Sequence, residues 1–588
     1  MNEILRSTYK QLFFRLFLTV GISFLSVSCT HGPVEVVEQT AGTDIVAELN
    51  VSLRLSGGLQ TMAGDYTLDG TDPENRISHL TAVVVDLDAA GQEVPARCAY
   101  AEIHSPGSSS VTFRIYTTSG SKHIYVVANA DARRVVAAIS GQQPLTTSGQ
   151  SYETAISEFL TLSASATVGE NRQGSSIVMS GQAYISGQSD PMRIDLPEPI
   201  LPGAVSVVSG LEAKLERCVA KVLFTCRMAE SKSGGEQGGK YVLIRDPQST
   251  QHAASPDDVN NDYNGWMNIE DVWFTLNNTS RQTYIMQRTQ TDGGRMYVTD
   301  PDFALSEYLH RVDGVYTPIT TGNLYADHFV SLGPSDLELP RQVAGIPFSS
   351  STCRMRALPY DAARANQADP DNHYTEGLYC LENTVHNDLT DLSEDEKQSV
   401  PRMGSTYVVV AARYVPKFIY DATVAPSGSD IEGRLCADYA AALTMLAPVA
   451  GVDRDGNATT YPEGTFFYYH DGSQIRFCTY AGMMKWIELS QGTLKPLSRN
   501  DFNEYVAGWG YYSTFVNGVQ ASAADAYGRR PLLFKDNDGV VRNTYYLLQA
   551  SLFYVPGSNL PTEDLIMVNS TRLDWMPHGS TDVVVRPE

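Results

Sequence analysis

The sequence predicts a mainly β protein with a few short helices, on three observations. Short runs alternate apolar and polar residues, Asp-Gly pairs punctuate the second half, and helical periodicity is confined to brief patches. The chain has 588 residues, 42% hydrophobic and 19% charged, the composition of a globular protein with room for more than one core. Many short strands and few helices imply two β-sandwich domains. The expected organisation is a signal peptide over 1–28, a tether over 29–44, one domain over 45–210 and a second over 211–588.

The N-terminal segment is an export signal. Arg6, Lys10 and Arg15 precede the apolar stretch Leu16 to Val27, and Leu25-Ser26-Val27-Ser28-Cys29 closes it. The stretch is too short for a spanning helix. A Cys directly after a small residue at this place is a bacterial lipoprotein signature, which makes Cys29 the lipidation site and first mature residue. Ser26 stands where the signature usually has an aliphatic residue. The other reading is a non-lipidated secretory signal cut near this point. Thr30 to Thr43 has no period and reads as a flexible tether.

Strands follow. Leu49 to Leu55 alternates within Val46–Leu55, as a half-buried strand does. Leu80 to Leu87 is Val-rich and suits a strand buried on both faces. Val111, Phe113 and Ile115 alternate with polar residues, and His123 to Ala130 supplies another strand. Helices are expected near Ala132–Ile139 and Tyr152–Leu162. Pro199, Pro202, Gly203 and Gly210 precede a long strand, Ala213 to Met228. Cys218, Ala220, Val222, Phe224 and Cys226 share one face of it, with Arg217, Lys221 and Thr225 on the other. Later strands are expected at Val272–Leu276, Tyr407–Val415, Thr465–Tyr469, Ile475–Tyr480, Thr544–Tyr554 and Thr581–Val585, with helices at Arg434–Met445 and Arg499–Val506. Asp455-Gly456, Asp471-Gly472 and Asp538-Gly539 are hairpin signals. Ser351–Met403 is polar and reads as loops.

Charge and motifs narrow the function by exclusion. A net charge of −24 opposes sequence-independent nucleic-acid binding, which needs cations to displace phosphate counterions. Eight cysteines leave an odd number once Cys29 is set apart, which argues against a full disulfide framework. On one strand Cys218 and Cys226 would lie roughly 26 Å apart, beyond disulfide reach. Gly234 to Lys240 has phosphate-loop spacing, but Tyr241 stands where the magnesium hydroxyl belongs. Asp258, Asn260, Asp262 and Asn264 have calcium-loop spacing, but Tyr263 and Ile269 occupy the places of its Gly and bidentate acid. No GxSxG or HExxH is present. The chain therefore carries no assignable catalytic residue, metal site or cofactor site.

Several segments together resemble the Bacteroidetes fimbrillins, subunits of the long and short type V pili. They are Tyr125-Val126-Val127-Ala128-Asn129-Ala130, Glu216-Arg217-Cys218-Val219-Ala220-Lys221-Val222, Gly404 to Pro416, Gly464-Thr465-Phe466-Phe467 and Val541-Arg542-Asn543-Thr544-Tyr545-Tyr546. Leu573-Asp574-Trp575 and Val583-Val584-Val585 complete the order. The resemblance implies two transthyretin-like Greek-key β-sandwich domains. It implies export as a lipoprotein precursor held in the outer membrane through Cys29, and removal of the first strand by a trypsin-like protease. Head-to-tail assembly with other fimbrial subunits at the cell surface would follow, the emptied groove taking a strand from another subunit, with the Val583–Val585 tail as donor. The family's cleavage Arg is expected near Leu59–Ala63, where this chain has none; Arg54 and Arg76 are the only Lys or Arg between Cys29 and Leu80, and Arg54 is the processing candidate. Three alternatives stay open: a permanent edge strand at Val46–Leu55; a lipid-anchored glycan-binding protein that does not polymerise, its 32 Tyr and 5 Trp available for sugar stacking; and an exported hydrolase resting on carboxylates that the sequence does not assign.

Overall fold

The structure, a computed structural model, describes residues 42–55, 67–70, 75–141, 145–146, 177–226, 241–244, 265–300, 310–317, 329–330, 354–359, 378–384, 406–422, 431–470, 475–520, 532–534, 539–552 and 567–577, apart from single residues or pairs within these ranges. The chain is mainly β. Its first elements are β1 (Asp44–Leu55), β2 (Thr67–Gly70), β3 (His79–Leu87), β4 (Glu93–His104), β5 (Ser110–Thr118), β6 (Gly120–Ala128), α1 (Ala132–Gly141), β7 (Leu145–Thr146), β8 (Met179–Ile185), β9 (Ile194–Leu196), β10 (Val205–Arg217), β11 (Val219–Cys226), β12 (Tyr241–Ile244) and β13 (Gly265–Asn277).

An eight-stranded sheet in the order β4-β3-β6-β8-β10-β1-β5, with β9 beside β6, makes the first unit. It folds on itself at β8, which pairs with β6 through Tyr125–Ala128 and with β10 through Leu211–Arg217. Leu80, Ala82, Val84, Ile124 and Val126 of one half face Leu49, Val51, Phe113, Ile115 and Leu211 of the other in a single core. Gly181 makes the fold-back close, because a Cβ there would lie 2.0 Å from the Lys214 carbonyl oxygen. The other face of β3 and β6 buries Val83, Val85 and Val127 against Val135 of α1. The Val-rich run is thus covered on both sides, as its composition predicts. Asn129 ends β6 in the left-handed region at φ 61. Its Oδ1 accepts from Ser78 N at 2.8 Å, and its Nδ2 donates to the carbonyls of Arg76 and Ile177 at 2.7 and 2.8 Å. A short amide that tolerates positive φ and ties these backbone segments together explains that residue of the Ala-Asn-Ala motif.

The long strand expected over Ala213–Met228 is two strands. β10 ends at Arg217 in the first sheet, and β11 begins at Val219 in another. The expected break between 210 and 211 lies inside β10, and the change of sheet comes at Cys218. β11 runs parallel to Thr544–Leu552, in register Lys221 with Tyr545, and antiparallel to Leu378–Leu381. A second sheet, β12-β13 followed by Tyr407–Pro416 and Trp509–Phe515, lies across from it. Val222 and Phe224 pack with Phe274, Val408, Val410 and Tyr414 between the two. Lys221, expected on the face opposite these residues, lies there and is fully buried, its Nζ 5.4 and 5.2 Å from the ring centres of Tyr379 and Tyr545. Two aromatic faces offset the desolvation of that ammonium.

Between the paired strands Tyr407–Pro416 and Trp509–Phe515 the chain inserts a further five-stranded sheet. Helices Tyr439–Met445 and Tyr480–Ser490 accompany it. The expected helix Arg434–Met445 starts at Tyr439 because Asp438 Oδ1 caps Ala441 N at 2.7 Å. The expected strand to Tyr480 stops at Cys478 because Thr479 Oγ1 accepts from Gly482 N and opens a helix. Arg499–Asp501 is a single 3₁₀ turn followed by strand Asn503–Tyr505, in place of the expected helix. Asp455-Gly456 turns the hairpin Val449–Val452 with Ala458–Tyr461, as expected. Glu93–His104 was not expected; half-exposed for most of its length, it lacks a clean alternation. The sites expected at Tyr152–Leu162, 234–240, 257–264 and Thr581–Val585 lie outside the described residues.

Candidate functional site

β1 is an inner strand. It runs parallel to β10 from Val46 with Val205 to Leu55 with Leu215, and antiparallel to β5 from Asp44 with Thr118 to Ser52 with Ser110. The edge-strand reading is therefore corrected: backbone groups are paired on both sides. Ile45, Ala47, Leu49, Val51, Leu53 and Leu55 all point into the core and are buried. Each aliphatic side chain contributes about 1.5–3 kcal/mol by burial, so the strand as a whole stabilises the unit by on the order of 10 kcal/mol. That is comparable to the whole stability of an ordinary domain. Removing β1 would leave an apolar groove between two unpaired ladders.

The outward side chains of β1 are held by specific partners. Asn50 Oδ1 accepts from Thr112 Oγ1 at 2.6 Å, and its Nδ2 donates to Ser209 Oγ at 3.4 Å. Beside it β10 bulges: Leu49 faces Val208 and Val51 faces Leu211, so two residues oppose one. Gly210, at φ 78, supplies the left-handed residue that such a bulge needs. Arg54, 52% exposed, meets Glu212 at 3.8 Å. Glu212, 26% exposed, also accepts from Tyr184 OH at 3.0 Å and Ser186 Oγ at 3.3 Å.

Arg54 is thus placed on the solvent face near the end of the strand. Its β5 ladder ends at Ser52, with one further bond from Leu53 N to Ser109 O, so the 54–55 peptide is laddered on the β10 side alone among the described residues. Cleavage there needs only the last stretch of a ladder to open. Cys29 and Val583–Val585 lie outside the described residues.

A second cluster joins the first sheet to the rest of the chain, and here the Arg-Asn motif finds its role. Arg542 is buried, its Nε donating to Glu382 Oε2 at 3.1 Å, Nη1 to Ile285 O at 2.9 Å and Nη2 to Thr283 Oγ1 at 2.7 Å. Arg217, also buried, donates through Nη1 to Asn543 Oδ1 at 3.1 Å and through Nη2 to Asn75. Asn543 sits at φ 53, the counterpart of Asn129. Glu212, Glu382 and Asn75 were missed in the sequence, because nothing local distinguishes them from other polar residues. Among the described residues no group of three or more His, Cys, Asp or Glu is arranged to hold a metal, and Cys98, Cys218, Cys380, Cys436 and Cys478 are free thiols. Burial pushes the Cys380 thiol up to about 12.

Residues 47–190 match the family described as major fimbrial subunit protein (FimA). No curated protein sequence matches the chain. Among solved structures it is similar to a fimbrilin from Porphyromonas gingivalis, at 14% identity and a TM-score of 0.33, over 90% of this chain and 99% of that one. A cell adhesion protein from Parabacteroides distasonis gives 11% identity and a TM-score of 0.33, over 90% of this chain and 98% of that one. The tip fimbrial protein Mfa3 from Porphyromonas gingivalis gives 12% identity and 0.29, over 90% of this chain and 100% of that one. The matched segment runs from inside β1 to just past β8 and includes β5, one of the two partners of β1. On that match residues 47–190 are similar to the major fimbrial subunit family.

Proposed function

We propose that the chain is a structural subunit of a cell-surface fimbria that supports adhesion, and that it polymerises after proteolysis removes β1. The observation that carries this reading is β1 itself: an N-terminal strand paired on both edges, with five inward apolar side chains, Ile45 to Leu53, ahead of an exposed Arg54. A groove of that depth cannot stay empty, since its exposure is worth on the order of 10 kcal/mol. A strand from another subunit relieves it, pairing both ladders at once. Each subunit then both gives and receives, and a head-to-tail contact of this type extends as an open filament. Export as a precursor lipidated at Cys29, held in the outer membrane until a trypsin-like protease cuts after Arg54, supplies the order of events. The family match to residues 47–190 supports the fimbrial reading.

The test is limited digestion of the purified precursor with trypsin. A single early cut after Arg54 followed by an SDS-resistant ladder is the expected result. A protein that is cut there yet stays monomeric, or that resists cutting, contradicts polymerisation by this route.

A further inference from the structure

We propose that Lys122 and Asp86 are a site of covalent self-modification, an isopeptide bond from Lys122 Nζ to Asp86 Cγ that ties β6 to β3. The two residues are Cα partners on these antiparallel strands, on the core-facing side that also carries Val84 and Ile124. Lys122 is 1% exposed and Asp86 7%, and Lys122 Nζ donates to Asp86 Oδ1. Nucleophile and carboxyl are therefore in contact, on neighbouring strands, out of solvent.

Holding both charges there is costly, and passing one proton from the ammonium to the carboxylate removes both. Burial is the chief cause that holds the Lys122 amine below its ordinary 10.5, with Asp86 acting against it and Arg97 with it. A desolvated neutral amine is a nucleophile. Thr118 Oγ1 accepts from Lys122 Nζ at 2.7 Å and stands 3.3 and 3.2 Å from Asp86 Oδ1 and Oδ2. Its hydroxyl can take a proton from the attacking nitrogen while giving its own to Oδ2. The Nζ–Cγ bond forms and the Cγ–Oδ2 bond breaks. Two of the ammonium's three protons leave with Oδ2 as water, the third stays on the amide, and nothing is oxidised or reduced. The amide N–H keeps Thr118 Oγ1 or Ser119 O, 3.4 Å from Nζ, as acceptor. In bulk water such a condensation is opposed by the solvent. Groups held in contact reach effective molarities of about 10⁵–10⁸ M, and a buried site lets the water go. The buried pair of Arg542 with Glu382 cannot react this way, because a guanidinium stays protonated. Neither β3 nor β6 pairs with β1, so the bond would outlast removal of that strand.

Peptide mass mapping of the full-length chain purified from cells tests the bond. Trypsin does not cut after an acylated lysine, so the expected product is a branched peptide, 77–97 joined to 115–133, one water lighter than their sum. A dehydrated Asp-Gly also loses one water but joins no two peptides. Lys122→Arg keeps the charge and is expected to release 77–97 as a free peptide. In protein sampled through time after cell-free synthesis, Thr118→Val is expected to slow the joining on the order of 100-fold, and Thr118→Ser to restore it. Wild-type protein that yields 77–97 and 115–122 as separate peptides has an ordinary ion pair, and the bond is overturned. A branched peptide that forms as fast in Thr118→Val as in wild type overturns the proton relay.

Discussion

Arg542 carries a full charge out of solvent, and its carboxylate partner Glu382 is equally buried. Breaking such a pair from one side leaves the other charge uncompensated, at a cost of about 3–5 kcal/mol. Arg542→Met is therefore expected to lower the denaturant midpoint sharply, and the double change Arg542→Met with Glu382→Leu to recover part of the loss. Glu93 offers a pH test. Hydrogen bonding from His123 Nδ1 at 2.6 Å is the chief cause holding its carboxyl below the ordinary 4.5. A carboxylate with a depressed folded pKa stabilises above its unfolded value, and that contribution is lost as pH falls through the folded one. Glu93→Gln is expected to be less stable than wild type at pH 7 and to converge with it on acidification below about pH 4, measured by urea unfolding across that range. At this scale the sequence was only half legible. Arg542-Asn543 stood out as a motif, but Glu382 lies 160 residues away and no local pattern pairs them.

Strand β1 was legible because its period of two is unbroken from Leu49 to Leu55 and its partners on both sides bury the same face. Its place inside the sheet was not, since pairing partners come from 110–118 and 205–215. Ala47 is small because the site is closed; Ala47→Leu should overpack it and destabilise the precursor by about 1–3 kcal/mol, measured by urea unfolding. Arg54→Gln removes an exposed pair worth little to stability. It should leave the melting temperature nearly unchanged and abolish the tryptic cut, a separation of processing from folding. The inserted sheet between Tyr407–Pro416 and Trp509–Phe515 was hidden for the opposite reason. Its helices depend on single caps at Asp438 and Thr479, signals too short to override the β-prone residues around them.

At the scale of the whole molecule, the strand that completes the first sheet is the one the proposed function gives up. Its far end is laddered on one side only among the described residues, and under the proposed function its loss exposes a groove that a strand of another subunit refills. The Arg217 and Arg542 cluster ties the rest of the first sheet to 283–285, 382 and 542–543, so the body stays one piece when β1 leaves. N-terminal sequencing of the subunit taken from cell-surface filaments tests this account most directly. The predicted first residue is Leu55. A chain that begins at a lipid-blocked Cys29, or anywhere else upstream of β1, would show that the strand is kept and that the subunit assembles by other means.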